Sequence, residues 1–378
     1  MYKTFDYIII GGGLAGLQLA LSFGRDRFFE QKSIAVIDPV VKDENDKTWC
    51  FWEKGESEWD SITTQSWEKG SFCSRDKTIA LDLKPYSYKM VKPLDFYNFV
   101  KLELQDSLNI TFIKDKISKI DRASCKAFGT ETVYSTLHIF DSRIPEAYFN
   151  DTYCTKIFQH FKGWVIDTEK AEFDPSTFTM MDFRLKYKDS TSFTYVLPIS
   201  EKRALIEFTF FTPYITEDGI YTKQLEKYIS EVLKIDNYRI SEKEKGVIPM
   251  TDYPFHLDSS PGVTKIGTGG SWVKGSTGYS FKHTEKKVAK IIANIKKGND
   301  PQKGLINKRA RFYDAIFLDV LDQRNDLGES IFTKLYSKNS PTNIFRFLDE
   351  ETTFSGEVKI MFSLFHRQFL VSFFKKLF

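Results

Sequence analysis

Apolar and polar positions divide this chain into stretches of distinct rhythm. Tyr7-Ile8-Ile9-Ile10 is continuous and β-branched, the pattern of a strand buried on both faces. Leu17, Leu19, Ala20, Leu21 and Phe23 follow as a mostly apolar helix, and Ser33-Ile34-Ala35-Val36-Ile37-Asp38 reads as a second strand. Shorter alternating runs between residues 60 and 92 predict antiparallel strands around Phe72, Ile79 and Tyr88. Leu94, Tyr97, Val100 and Leu104 share one helical face, and strands at 110–113 and 136–141 return to the first sheet. From 155 to 260 the pattern is mostly strand-like, with strands at 161–166, 178–183, 192–198 and 203–211 and a helix at about 223–233. That grouping predicts a second, antiparallel domain inserted into the first. A strand at 264–270, a helix at 284–296, a polar linker at 296–304 and a helical tail from 308 complete the chain. Phe362, Phe365, Phe369 and Phe373 fall near one face of the closing helix at 361–378, beside Arg367, Lys375 and Lys376. Such a helix fits a membrane surface, and equally a terminal helix packed on the body.

The glycines between the first strand and helix add chemistry. Gly11, Gly13 and Gly16 form a Gly-x-Gly-x-x-Gly pattern, with Leu14 and Ala15 inside it. Gly11 permits a tight turn, Gly13 lets a pyrophosphate approach the backbone, and Gly16 allows helix and strand to pack closely. Asp38 stands 22 residues after Gly16, where a carboxylate accepts the ribose hydroxyls of an adenosine. A second glycine-rich loop, Gly275-Ser276-Thr277-Gly278-Tyr279, precedes the helix at 284, a further candidate contact for a phosphate or a flavin ring.

Composition narrows the classes. A net charge of +3 gives no argument for nucleic acid. Phenylalanine is the outlier, 35 of 378 residues, enough for a large core or for a pocket that takes a long apolar ligand. Cys50, Cys73, Cys125 and Cys154 show no paired spacing and read as free thiols rather than metal ligands, so no metal site is expected. The first strand begins within the first ten residues, which leaves no place for a signal peptide, and no run of 18 uncharged apolar residues exists. A cytoplasmic protein is expected, with membrane contact left open. The pair Trp49 and Trp52 reads either as a turn held by aromatic packing or as a wall near cofactor or substrate.

In their order along the chain these residues resemble the flavin-dependent lycopene cyclases, the bacterial lycopene β-cyclases in particular. The resemblance spans essentially the whole sequence. It rests on the first glycine motif with Asp38, on Asp46-Lys47-Thr48-Trp49-Cys50-Phe51-Trp52, and on Asp141-Ser142-Arg143. It rests also on Phe161-Lys162-Gly163-Trp164, on Tyr195-Val196-Leu197-Pro198-Ile199-Ser200 followed by Ala204-Leu205-Ile206-Glu207-Phe208-Thr209, and on the loop at 275–279. It implies an α/β fold: a Rossmann-type FAD-binding domain, an inserted antiparallel β substrate domain and a helical C-terminal tail. The FAD-binding parts are expected at 1–60, 93–154 and 261–300, the substrate domain at 61–92 and 155–260, and the helical region at 301–378.

The implied activity is cyclisation of the ends of a linear carotene, lycopene, to β-ionone rings. It needs reduced FAD, with NAD(P)H as reductant, and has no net redox change. The insoluble substrate implies peripheral contact with the inner face of the cell membrane. Ring closure needs an acid at a terminal double bond, a stabilised carbocation and a departing proton. Glu207 matches the family's catalytic glutamate and is assigned as general acid/base; burial among apolar neighbours raises such a carboxyl's pKa. A strand glutamate facing solvent is the bland alternative. Trp49, Trp52, Tyr195 and Phe208 are candidates to face the cation. Phe347-Leu348-Asp349-Glu350-Glu351-Thr352 looks closer to the plant motif in letters but reads as a solvated acidic turn or helix cap. Flavin hydroxylases of similar fold carry Gly-Asp after the late strand, whereas Ile266-Gly267-Thr268-Gly269-Gly270 has no Asp. That departure favours a cyclase over the alternatives, a flavin-dependent hydroxylase or prenyl/carotenoid reductase, or a non-catalytic carrier.

Overall fold

The computed structural model describes residues 1–45 and 47–377. Asp46 of the tryptophan-rich motif and Phe378 of the tail lie outside the described residues. The first apolar run becomes the strand Tyr2–Ile10, the axis of a mostly parallel sheet. Ile34–Asp38 and then Ile110–Lys114 lie on one side of it, and Val133–Asp141 on the other, all parallel. Val263–Lys265 extends the sheet beside the end of Val133–Asp141. The helices Leu14–Arg25 and Phe281–Lys296 pack together over one face, burying Leu17, Leu21, Val288 and Ile291. The chain runs up from the strands into these helices, so the ligand edge lies at the strands' carboxyl ends.

The second sheet has seven strands in the order Tyr238–Thr251, Lys156–Thr168, Arg203–Thr212, Thr191–Ser200, Thr177–Asp182, Lys69–Cys73, Thr78–Asp82. Alternation gives its faces different work. Trp164, Ile206, Phe208 and Phe210 pack against the helix Asp218–Lys227 and the turn after it. Gln159, Phe161, Leu205 and Glu207 point the other way, into a cleft shared with the first domain. A three-stranded sheet of Trp49–Lys54, Tyr86–Val91 and Thr63–Trp67 stands between the two.

Three expectations change. The strand at 264–270 stops at Lys265; Gly267, at φ +58°, turns the backbone into a short 3-10 helix, Thr268–Gly270. The closing helix is two helices, Phe354–Ser363 and Arg367–Leu377. The break is built by His366, whose Nδ1 accepts the Gln368 N–H at 3.1 Å and so starts the second helix. Finally, Tyr238–Thr251 is a long strand to which the hydrophobic pattern assigned no element. Its positions opposite Val165, Gly163 and Phe161 are Glu242, Glu244 and Gly246, so its two-residue period carries no apolar signal.

Candidate active site

Two helix N-termini and the second sheet, antiparallel as expected except where Thr177–Asp182 runs parallel to Lys69–Cys73, enclose a cleft of about 270 Å³. Gly13, Leu14, Ala15 and Gly16 line it from the first helix, and Ser280, Phe281 and Thr284 from the late helix. The glycines do three different things. Gly11 adopts φ +104°, and a Cβ there would sit 2.0 Å from Ser142 Oγ. A Cβ on Gly16 would lie 1.9 Å from the Gly11 carbonyl oxygen, so only glycine lets helix and strand approach this closely. A Cβ on Gly13 would meet no protein atom within 4 Å, so the protein leaves open space beside this backbone. Asp38 Oδ2 accepts the Gly12 N–H at 2.7 Å, tying the second strand to the glycine turn.

The late loop divides its glycines. Gly278, at φ +77°, lines the cleft against Gln159. Gly275 instead faces Asp314 and a separate cavity of about 30 Å³, so the structure does not bring it to the cleft. Asp141 is buried in an ion pair with Lys265 (3.0 Å) and Arg143 (2.9 Å), while Ser142 lines the cleft. Lys42, Lys47 and Thr48 also line it.

Glu207 lies on the cleft face of Arg203–Thr212, buried, with Oε1 accepting from Thr209 Oγ1 at 2.7 Å. Burial, then the neighbouring Glu244 carboxylate, push its pKa well above the usual carboxylate range. Glu244, on the long strand, is held through Oε2 by the Thr48 N–H (2.9 Å) and Oγ1 (2.7 Å). Burial raises it too, and the Thr48 donors work against that rise. Sequence reasoning did not reach Glu244; the charged pattern around it looks like a solvated strand.

The aromatic candidates separate. Trp49 lines the cleft and packs edge-on against Phe96, while Trp52 stacks on Phe345 (4.5 Å) and lines a second cavity. Tyr195 lines both. Phe208 does not reach the cleft; as the strand neighbour of Glu207 it points to the opposite face, edge-on to Phe210 and packed with the covering helix. Asp349 is a helix cap, but it is not solvated. It is buried, accepts Trp52 Nε1 at 3.0 Å, and is raised to about 6 by burial.

The second cavity, about 410 Å³, adjoins the cleft at Tyr195, Thr277 and Tyr279. Its walls are almost entirely apolar, with Met180, Phe211, Phe332 and Leu335 at its sides. Phe362, Phe365 and Phe373 both line it and face solvent, so it reaches the surface among the last two helices. Two of their basic residues are engaged by the body: Lys375 pairs with Asp319 (2.5 Å) and Lys376 with Asp252 (2.6 Å). Among the described residues, no helix is long and apolar enough to cross a membrane, and no group of three or more His, Cys, Asp or Glu side chains is placed to hold a metal.

A family model described as lycopene cyclase protein matches residues 6–373. Comparison with curated proteins returns no match. Among solved structures, the chain is similar to a geranylgeranyl bacteriochlorophyll reductase-like protein of Thermoplasma acidophilum (TM-score 0.64, 12% identity, 97% of this chain and 98% of that one). It is also similar to the flavin-dependent brominase Bmp2 (TM-score 0.61, 12% identity, 92% and 93%). A third is a flavoprotein/dehydrogenase of Cytophaga hutchinsonii (TM-score 0.58, 11% identity, 95% and 99%). At these identities the likeness is one of fold, the Rossmann-type flavoprotein fold.

Proposed function

The chain belongs to the lycopene cyclase family, and from that premise we propose that it closes the end groups of a linear carotene, lycopene, to β-ionone rings without net redox change. The observation that carries this reading is the junction at Tyr195 and Tyr279. There an apolar cavity open at the tail meets a cleft that holds a buried, proton-retaining carboxyl, Glu207. A long polyene fits such a cavity by burial of its surface, and only its end group needs to reach the acid.

The cleft suits FAD. Open backbone at Gly13, the N–H groups at the start of Leu14–Arg25 and the Asp38 carboxylate match a pyrophosphate and an adenosine ribose. Gly278 and the start of Phe281–Lys296 offer a second wall. Bound there in its reduced form, with NAD(P)H as the source of electrons, FAD would supply an electron-rich ring system that stabilises a nearby cation.

Glu207 gives its proton to the terminal double bond, leaving a tertiary carbocation. The neighbouring double bond attacks it, one carbon–carbon bond forms, and a proton leaves the adjacent ring carbon. One proton enters and one departs, so the product is an isomer. Tyr195 and Trp49 line the cleft, and a desolvated cation over an aromatic ring face is favoured by roughly 2 kcal/mol. On this reading the tail rests on the inner face of the cell membrane and the substrate enters from there, and the exposed phenylalanines around the cavity's surface opening support it. Expression in a lycopene-accumulating host tests the reading. A pigment of unchanged mass with cyclic ends supports it; a pigment altered by hydrogen or oxygen favours a flavin-dependent reductase or hydroxylase.

A further inference from the structure

Four residues lie in one transverse row across the cleft face of the antiparallel sheet. Tyr195 pairs with Glu207, Glu207 with Gly163, and Gly163 with Glu244. Residues directly opposite one another on adjacent strands point to the same face. An ordinary side chain at 163 would therefore stand between the two glutamates. Gly163 has none, and a Cβ there would lie 2.9 Å from Glu244 Cγ and 3.1 Å from Glu244 Oε1. The Glu244 side chain thus lies over the glycine, reaching toward the next strand. Its Oε1 is out of solvent contact and, among the described residues, receives no donor. The Glu244 carboxylate is, after burial, the next cause of the raised pKa of Glu207, so the two carboxyls act on one another across the glycine.

Two ionised carboxylates cannot hydrogen-bond. One proton shared between them turns the repulsion into a bond. Thr48 decides where the proton sits. Its N–H and hydroxyl both donate to Glu244 Oε2, which favours the ionised form there. Among the described residues, Glu207 receives the Thr209 hydroxyl alone. We propose that Glu207 and Glu244 form a carboxyl pair across Gly163, in which Glu244 is the positioning residue: an anion, fixed by Thr48, that keeps the catalytic proton on Glu207. This rests on the reading of Glu207 as the acid of the cyclase.

The other ionisable groups facing the pair do not supply this charge. Tyr195 and Cys50 are neutral groups whose burial raises their pKa. Glu242, on the same strand as Glu244, is engaged by Lys92 (2.7 Å) and Arg203 (2.8 Å). Lys42 and Lys47, also on the cleft wall, are basic side chains and supply no anion. Lys162, next to Gly163 in sequence, points to the other face and pairs with Asp218.

Glu244→Gln tests the assignment. Removing the anion lowers the pKa of Glu207, so the basic limb of the pH–rate profile moves down by at least one unit. Turnover falls at least tenfold at the pH where the parent begins to decline, and recovers when the pH is lowered. Glu244→Asp keeps the charge and moves the limb less. A purely structural role for Glu244 would lower turnover by one factor at every pH. A second readout needs no substrate. Infrared titration of the full chain should show a protonated carboxyl persisting at pH 8, absent in Glu207→Gln and shifted to lower pH in Glu244→Gln. Should Glu244→Gln fail to fold, Gly163→Ala keeps both acids while displacing Glu244, and should move both readouts in the same direction. An unchanged limb and an unchanged carboxyl titration in the folded variant would overturn the pair. If the parent leaves lycopene untouched while the infrared shift appears, the pairing stands and the cyclase reading is what fails.

Discussion

Gly13 and Gly16 sit three residues apart, and replacing each by alanine should have different consequences. At Gly13, with φ −89°, alanine is unstrained, and its Cβ meets no protein atom within 4 Å. Alanine is a poorer N-cap than glycine, while the unfolded chain loses freedom worth about 0.4–1 kcal/mol, so the two terms oppose and stability without flavin should stay within about 1 kcal/mol of the parent. The methyl group would occupy the space argued to be kept for the pyrophosphate. Flavin affinity should fall ten- to a hundredfold, about 1.4–2.7 kcal/mol. At Gly16 the same methyl would lie 1.9 Å from Gly11 O and 3.1 Å from Ile9 Cγ2. Relief requires moving the strand's own backbone, so Gly16→Ala should destabilise by about 3 kcal/mol or more, despite alanine's better helix propensity. Urea melts of the flavin-free proteins read the first quantity, and titration with FAD followed by fluorescence quenching reads the second. Gly13→Ala binding FAD as the parent does would refute the argument, because it would mean that no ligand atom approaches this backbone.

Glu207→Gln keeps the Thr209 hydrogen bond and adds no charge, so melting and flavin content should be unchanged while turnover drops roughly 100-fold or more; near-normal turnover would remove Glu207 from the chemistry. Asp349 tests burial itself. Its folded pKa, about 6, lies above its unfolded value, so its contribution is fully present below about pH 4 and is lost as pH rises through 6. Asp349→Asn keeps an acceptor for Trp52 and should be more stable than the parent at pH 8, by up to about 3 kcal/mol, with the difference gone at pH 3.5; urea melts at the two pH values check this. Val371, Phe374 and Leu377 are exposed and do not line the cavity. Replacing all three by serine should leave the melt unchanged, cut sedimentation with lipid vesicles at least tenfold, and spare turnover on detergent-dispersed pigment.

The parts of this molecule that were legible in the sequence are those where one residue answers to one local demand. Tyr7 to Ile10 had to be a buried strand, and the glycines after it had to turn, expose and pack, because each requirement is met within a few residues. Glu207 was visible as a charge inside an apolar strand. Glu244 was not, since what makes it matter is a glycine on another strand and a threonine almost two hundred residues away. The exclusion of Phe208 follows from strand alternation, once Glu207 is placed facing the cleft. The tail misled for a different reason. Helical spacing placed its phenylalanines on one face, but a histidine side chain breaks the helix, and Asp319 and Asp252 take up two of its lysines. Long-range partners of this kind leave no periodic trace.

The central claim is an isomerisation driven by a proton from a buried carboxyl. The most direct measurement is the mass of the pigment formed from lycopene by the purified, flavin-reduced protein, run in parallel in H2O and D2O. The account predicts a product of unchanged mass in H2O and, in D2O, a gain of one deuterium in exchange for one hydrogen per ring closed. A pigment heavier by hydrogen or oxygen in H2O would contradict it, as would a cyclic product carrying no deuterium from D2O.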